Sequence, residues 1–310
     1  MLVPQPPCQG AKVALVAPSG PVSQERLPLA VAFVEKMGFE PIVFDSCHAA
    51  HGYFAGDDKL RAADINRAFA DPSIEGVFCI RGGYGAQRLM NLIDFGLIAA
   101  HPKFFCGYSD ITALHIMINQ SCGFVTFHTP MASTEFYKEV DPYTMESYRN
   151  MLNGRWYGTF QNPADMPLKS LVPGCARGVL TGGNLSLVAS SIGTPYEIDT
   201  KGKILFLEDV DEEPYRIDRM LTQLKMAGKF QDCAGILLGY WTNCVAEHPE
   251  RSLTLSQVFE ELLISEGKPI LSDLACGHSL PSLSLPLGAQ AEMDTDAGRI
   301  TVFQSDFYKE

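Results

Sequence analysis

The sequence predicts an α/β protein of two domains, an amino-terminal parallel α/β domain followed by a carboxyl-terminal mixed α/β domain. Three observations predict it. Apolar runs end in glycine- or proline-containing turns and lead into helix-like segments, the strand, turn, helix, strand rhythm of a parallel α/β layer. With 310 residues, 46% hydrophobic and 19% charged, the chain can bury a full core. Between about Asn153 and Ala176 the periodicity is lost in a stretch that carries Asn162-Pro163, Pro167 and Pro173-Gly174, a linker composition. The expected boundaries are therefore a domain over 1–152, a linker over 153–177 and a domain over 178–310.

The elements follow in order. The run Lys12 to Ala17 ends in Pro18-Ser19-Gly20, and a helix-like segment continues to Met37 before the next run at Pro41 to Phe44. Gly76 to Ile80 leads into Arg81-Gly82-Gly83-Tyr84-Gly85 and an expected helix through Asp94. Lys103 to Cys106 leads into Gly107-Tyr108-Ser109-Asp110 and a helix to about Gln120. Beyond the linker, Gly182-Gly183-Asn184 opens a helix, Lys203 to Leu207 reads as a strand, and Tyr215 to Ala227 has an amphipathic helical pattern. A strand at Ala234 to Leu238 and a proline-rich tail of short strands complete the chain.

A net charge of -12 and a pI near 5.0 oppose a general positive field, so nucleic acid and anionic lipid are not expected partners. A small molecule or short peptide fits better. The nine cysteines are odd in number, scattered and without C-x-x-C spacing, as expected of free thiols in a reducing compartment. The first twenty residues lack a signal-peptide pattern, and no apolar stretch is long enough to span a bilayer. These features predict a cytoplasmic protein.

Three residues could together do chemistry. Ser109 follows a strand and begins a helix, which puts it at the carboxyl edge of a parallel sheet, where such sheets bind ligands. The Asp110 amide there could stabilise an oxyanion; equally, Ser109 or Asp110 could simply cap the helix. Glu208 ends the apolar run Ile204 to Leu207 and opens the acidic stretch Glu208 to Glu213, which taken alone reads as a solvated strand end. His278 sits in the non-helical segment Ala275 to Pro281, where Gly277 permits a tight turn. A serine needs an imidazole to take its proton, and the imidazole needs a carboxylate to fix its tautomer. Serine, glutamate and histidine on separate strand or turn ends are chemically sufficient for acyl transfer.

The strings Arg81-Gly82-Gly83-Tyr84-Gly85, Gly107-Tyr108-Ser109-Asp110, Thr181-Gly182-Gly183-Asn184-Leu185, Ile204 to Val210, Tyr215-Arg216-Ile217-Asp218-Arg219 and Gly277-His278 resemble the LD-carboxypeptidase family of bacterial serine peptidases, which includes muramoyltetrapeptide carboxypeptidases and microcin C self-immunity proteins. The resemblance runs from about Lys12 to Gly288. It implies a catalytic triad of Ser109, Glu208 and His278, with an oxyanion hole from the amides of Asp110 and Gly83. It further implies a nucleophile-bearing amino-terminal domain, a carboxyl-terminal domain carrying the glutamate and histidine, and a homodimer. The implied activity is release of terminal D-alanine from a murein tetrapeptide during peptidoglycan recycling. The alternatives are an immunity-type amidase acting on peptidyl or aminoacyl adenylate mimics and, from another class, a non-catalytic α/β ligand-binding protein.

Other signals are weaker. Gly277-His278-Ser279-Leu280-Pro281 approaches a G-x-S-x-G elbow, but Pro281 replaces the second glycine and no histidine follows residue 278. The glycine turn at 82–85 matches neither a dinucleotide nor a Walker pattern. The segment Cys47-His48-Ala49-Ala50-His51 suggests metal ligands, yet no further cluster supplies the remaining ligands at a recognisable spacing, so neither metal nor cofactor is expected and a surface turn is the simpler reading. Arg81 beside the glycine loop could pair with a substrate carboxylate or form a structural salt bridge.

Overall fold

Val13 to Ala17 are completely buried, the signature of a strand in a parallel sheet covered on both faces. The computed structural model describes residues 1–304. The described chain divides into two units, residues 1–156 with 283–286 and residues 157–282 with 287–304.

The first unit contains β1 (Lys12–Val16), β2 (Glu40–Val43), β3 (Ile74–Cys79), β4 (Phe104–Gly107) and β5 (Thr126–His128). These strands pair in parallel in the order β5-β4-β3-β1-β2. Because β1, β3 and β4 are neighbours running the same way, the segments after them, Ala17 to Gly20, Ile80 to Ala86 and Tyr108 to Asp110, all emerge at one carboxyl edge. That edge is where open α/β sheets hold ligands.

The second unit contains β6 (Gly158–Phe160), β7 (Lys169–Val172), β8 (Cys175–Asn184), β9 (Ile204–Val210), β10 (Gly235–Thr242) and β11 (Ile270–Ser272). After β12 (Leu285–Leu287), which lies at the β5 edge of the first sheet, come β13 (Gln290–Asp294) and β14 (Arg299–Val302). The second sheet has the order β6-β14-β13-β8-β9-β10-β11-β7. It is parallel from β8 to β11 and antiparallel on both flanks. Its centre is apolar: Ile204 to Leu207 and Ile236 to Leu238 are all fully buried, each such side chain contributing about 1.5–3 kcal/mol.

Several expectations are corrected. The segment 153–177 supplies β6, β7 and the start of β8, because its backbone pairs with β14, β11 and β13 despite its turn-rich composition. No long helix follows the glycine loop. A 3-10 turn at Ala86–Leu89 gives way to a short helix at Phe95–Ala100, whose start is fixed by Asp94 accepting from the Leu97 amide at 2.9 Å. Glu208 does not end its strand: β9 continues to Val210, and Glu208 and Asp209 are both buried. The expected amphipathic helix is present, at Pro214–Met226, with Ile217, Leu221 and Leu224 turned inward. Among the described residues, no helix is long and apolar enough to cross a membrane.

Candidate active site

Ser109 takes a left-handed backbone conformation, φ 65°, which costs a non-glycine residue about 1–3 kcal/mol and clusters at functional positions. The chain turns there from β4 into a 3-10 turn at Ser109–Ile111 and then a helix at Thr112–Met117. The N-cap positions of these two elements are Tyr108 and Ile111, neither of which makes a side-chain cap hydrogen bond, and the Asp110 carboxylate is engaged elsewhere.

The Asp110 carboxylate turns away from the helix. Its Oδ2 accepts from the Ser19 hydroxyl at 2.5 Å and from the Ala86 amide at 2.7 Å. One acid thus ties together the segments that follow β1, β3 and β4. Burial raises the Asp110 pKa, opposed by those two hydrogen bonds and by the charge of Arg61. The glycine loop packs directly on the serine: a Cβ on Gly82 would stand 2.8 Å from the Ser109 Cβ and 3.0 Å from its Oγ. Only glycine permits that approach.

Arg81 lies alongside. Its Nε is buried without a hydrogen-bond partner, and among the described residues the guanidinium forms no ion pair, which removes the structural salt bridge from consideration. Below the loop, His115 is fully buried and donates from Nε2 to the Gly107 carbonyl at 2.8 Å. Its Nδ1 therefore accepts from the Thr126 hydroxyl at 2.9 Å. Burial lowers its pKa to about 4 against the smaller opposing effect of the Gly107 bond, so the ring is a neutral strut at the end of β4.

In the second unit, Glu208 is 0% exposed and its Oε2 lies 2.7 Å from His278 Nδ1. A carboxylate can only accept, so Nδ1 carries the proton and Nε2 is left as the basic nitrogen. Gly277 makes the approach possible, because a Cβ there would stand 2.7 Å from Glu208 Oε2. The histidine segment is held over β10 by the Tyr240 amide on the Cys276 carbonyl, the Tyr240 hydroxyl on the Pro281 carbonyl at 2.8 Å, and a 2.7 Å bond between Thr242 and Ser279. Ser279 is thus part of the support for that segment. The neighbouring Asp209 instead organises the start of the helix after β8, accepting from the Asn184 side chain, the Ser186 amide and hydroxyl, and the Val210 amide.

The suggested metal ligands are not assembled. Cys47 is buried and donates to the Leu15 carbonyl, whereas His48 and His51 are exposed. Among the described residues, no group of three or more histidine, cysteine or acidic side chains could hold a metal.

Two family models match, the LD-carboxypeptidase N-terminal domain over residues 13–129 and the LD-carboxypeptidase C-terminal domain over residues 177–293. The chain belongs to the LD-carboxypeptidase family. Within that family it is 47% identical over 288 residues to the "Probable murein peptide carboxypeptidase" of Bacillus subtilis (strain 168), covering 93% of this chain and 90% of that protein. The solved muramoyltetrapeptide carboxypeptidase from Oxalobacter formigenes aligns with a TM-score of 0.84 at 28% identity, over 94% of this chain and 98% of that one. The microcin C7 self-immunity protein MccF, solved with glutamyl sulfamoyl guanosine, aligns at 0.89 and 24% identity over 98% and 99%, a likeness of fold.

Sequence reasoning did not reach Ser19, Arg61 or His115. Each is a common residue type without a motif, and its role follows from burial against segments distant in the chain.

Proposed function

We propose that this LD-carboxypeptidase is a serine hydrolase that removes terminal D-alanine from a murein tetrapeptide by cleaving the amide between the L-centre of meso-diaminopimelate or L-lysine and D-alanine. The observation that carries the reading is the buried 2.7 Å Glu208–His278 hydrogen bond, which fixes the tautomer a serine nucleophile requires. The names of the relatives support the substrate class.

Ser109 Oγ attacks the carbonyl of the L-residue while His278 Nε2 takes the hydroxyl proton, and Glu208 stabilises the imidazolium. The amides of Gly83 and Asp110 receive the oxyanion. Collapse of the tetrahedral intermediate expels D-alanine, whose amine takes the proton from His278. Water, activated by the same histidine, then releases the shortened peptide from Ser109. Arg81 pairs with the carboxylate of the departing D-alanine, a role suited to an arginine that has no ion pair of its own among the described residues. The protein is further proposed to be a cytoplasmic homodimer acting in peptidoglycan recycling.

The test is mass-spectrometric product analysis with a tetrapeptide ending in D-alanine, its L-alanine diastereomer, and the pentapeptide ending in D-alanyl-D-alanine. Rapid cleavage of the first and slow cleavage of the other two is expected, because inversion misdirects either the methyl group or the carboxylate. Equal cleavage of both diastereomers, or turnover restricted to an adenylate mimic, would overturn the carboxypeptidase reading in favour of the immunity-type amidase. Tight binding without any turnover would favour a binding protein.

A further inference from the structure

Arg61 is a cationic residue of the helix Asp58–Ala70, and its side chain is fully buried. A buried guanidinium stays charged and must be surrounded by acceptors. Nη1 donates to the Pro18 carbonyl at 2.5 Å and to the Gly85 carbonyl at 2.9 Å, and Nη2 pairs with Asp58. The two carbonyls belong to the segments that follow β1 and β3. Asp58 also binds Arg88 at 2.8 Å, and the Phe54 ring packs 4.7 Å from the Arg61 guanidinium carbon. Gly85 is shaped to this contact: its φ is 127°, and a Cβ there would stand 2.7 Å from Arg61 Nη1.

The same two segments are joined twice more. The Gly20 amide donates to the Gly82 carbonyl at 2.9 Å, and the Asp110 carboxylate bridges the Ser19 hydroxyl and the Ala86 amide. Between the Arg61 contact at Gly85 and the Gly20 contact at Gly82 lies Gly83, with φ 110° and a position where a Cβ would meet Gly20 at 3.2 Å. Gly82 itself abuts Ser109. The loop is therefore pinned on both sides of the residue whose amide is assigned to the oxyanion.

We propose that Arg61 is a positioning residue for the oxyanion hole: by binding the Pro18 and Gly85 carbonyls it sets the Gly83 amide relative to Ser109, with the Ser19–Asp110 hydrogen bond as the second fastening. This rests on the serine-hydrolase reading above. Arg61 touches neither substrate nor nucleophile; its effect is on the placement of the donor. Misplacing a catalytic group by about 1 Å can cost 10²-fold in rate, and loss of one oxyanion donor costs about 10²–10³-fold in kcat.

The experiment compares wild type, Arg61→Met, Arg61→Lys, Ser19→Ala and Lys103→Met for melting temperature, kcat, KM, and the rate of fluorophosphonate labelling at Ser109. Labelling forms the Ser109 Oγ–phosphorus bond, expels fluoride and passes the hydroxyl proton to His278, so it reports the oxyanion hole without a peptide substrate. Lys103 is the control: it is a nearly buried cation that donates to the Ala68 and Asp71 carbonyls at the amino end of β4, away from the glycine loop.

Arg61→Met is expected to lower kcat and the labelling rate by about 10²-fold with KM within about threefold, and Arg61→Lys to recover part of the loss through its ammonium. Ser19→Ala is expected to lose about tenfold in both rates, a smaller displacement of the same loop. Lys103→Met should lower the melting temperature without those losses. Unchanged kcat in Arg61→Met, or a loss matched by Lys103→Met, overturns the proposal. If Arg61→Met does not fold, Ser19→Ala decides, and wild-type rates in it overturn the proposal. Absence of labelling in the wild type refutes the serine-hydrolase reading itself and the proposal with it, whereas labelling equal in all variants refutes the proposal alone.

Discussion

Replacing Glu208 by glutamine changes one atom and inverts the hydrogen-bond logic of the site. In the native structure Oε2 accepts from His278 Nδ1 at 2.7 Å, while Oε1 is buried with no hydrogen-bond partner. A glutamine that kept its oxygen on Nδ1 would bury its NH2 group in the position of Oε1 without an acceptor, at a cost of about 1–3 kcal/mol. The flipped amide avoids that cost by donating to Nδ1, which moves the ring proton to Nε2, the nitrogen that in the proposed mechanism accepts from Ser109. The productive tautomer is depleted accordingly, and the charge-assisted bond to the imidazolium, about 1.5–3 kcal/mol, is lost as well. Together these give roughly 2.5–6 kcal/mol, or about 10²–10⁴-fold in kcat.

The assay is the initial rate of D-alanine release over a range of tetrapeptide concentrations, with thermal melting to show that the variant folds. KM should change little, since Glu208 has no part in binding the peptide. Glu212→Gln, a change within the same acidic stretch, should leave the rate near wild type. A kcat for Glu208→Gln within tenfold of wild type, or equal damage from Glu212→Gln, would refute the assignment of Glu208.

Ser109→Ala and His278→Ala are each expected to lower kcat by several orders of magnitude, and the double variant to be little worse than either, because the groups act as a unit; multiplicative losses in steady-state assays would contradict this. The left-handed φ of 65° at Ser109 predicts that inactive Ser109→Gly is more stable than Ser109→Ala by about 1 kcal/mol, with β-branched Ser109→Val below both, as measured by chemical denaturation. For His115, the folded-state pKa of about 4 lies below the ordinary 6.5. Its contribution is therefore complete above pH 6.5 and declines as the pH falls toward 4, where the unfolded chain binds a proton that the folded chain excludes. The loss approaches roughly 3 kcal/mol. Denaturation across this range should show a shallower decline in His115→Gln, and parallel curves for the two proteins would show that His115 is not the source.

The sequence by itself determined the α/β class and most strands of the parallel core, and it nominated Ser109, Glu208 and His278 as the three chemical groups of the proposed triad. The first two follow from the length and turns of apolar runs, which are local properties, and the last from motif strings that stand intact in the chain. Local pattern misread the stretch 153–177, since edge strands with few apolar residues are made by pairing partners far away in sequence. It also placed Glu208 at a solvated strand end, whereas the continuation of β9 to Val210 buries it.

Tertiary structure alone decided the contacts of the polar residues around the candidate site. Arg61, Ser19 and His115 carry no periodicity or motif; Arg61 becomes a clamp because the carbonyls of Pro18 and Gly85, 43 and 24 residues away, converge on it where water is excluded. A buried charge must find acceptors wherever the fold brings them. Which acceptors those are depends on strand order: β1, β3 and β4 lie side by side, and so the segments that follow them meet around Ser109 and Asp110.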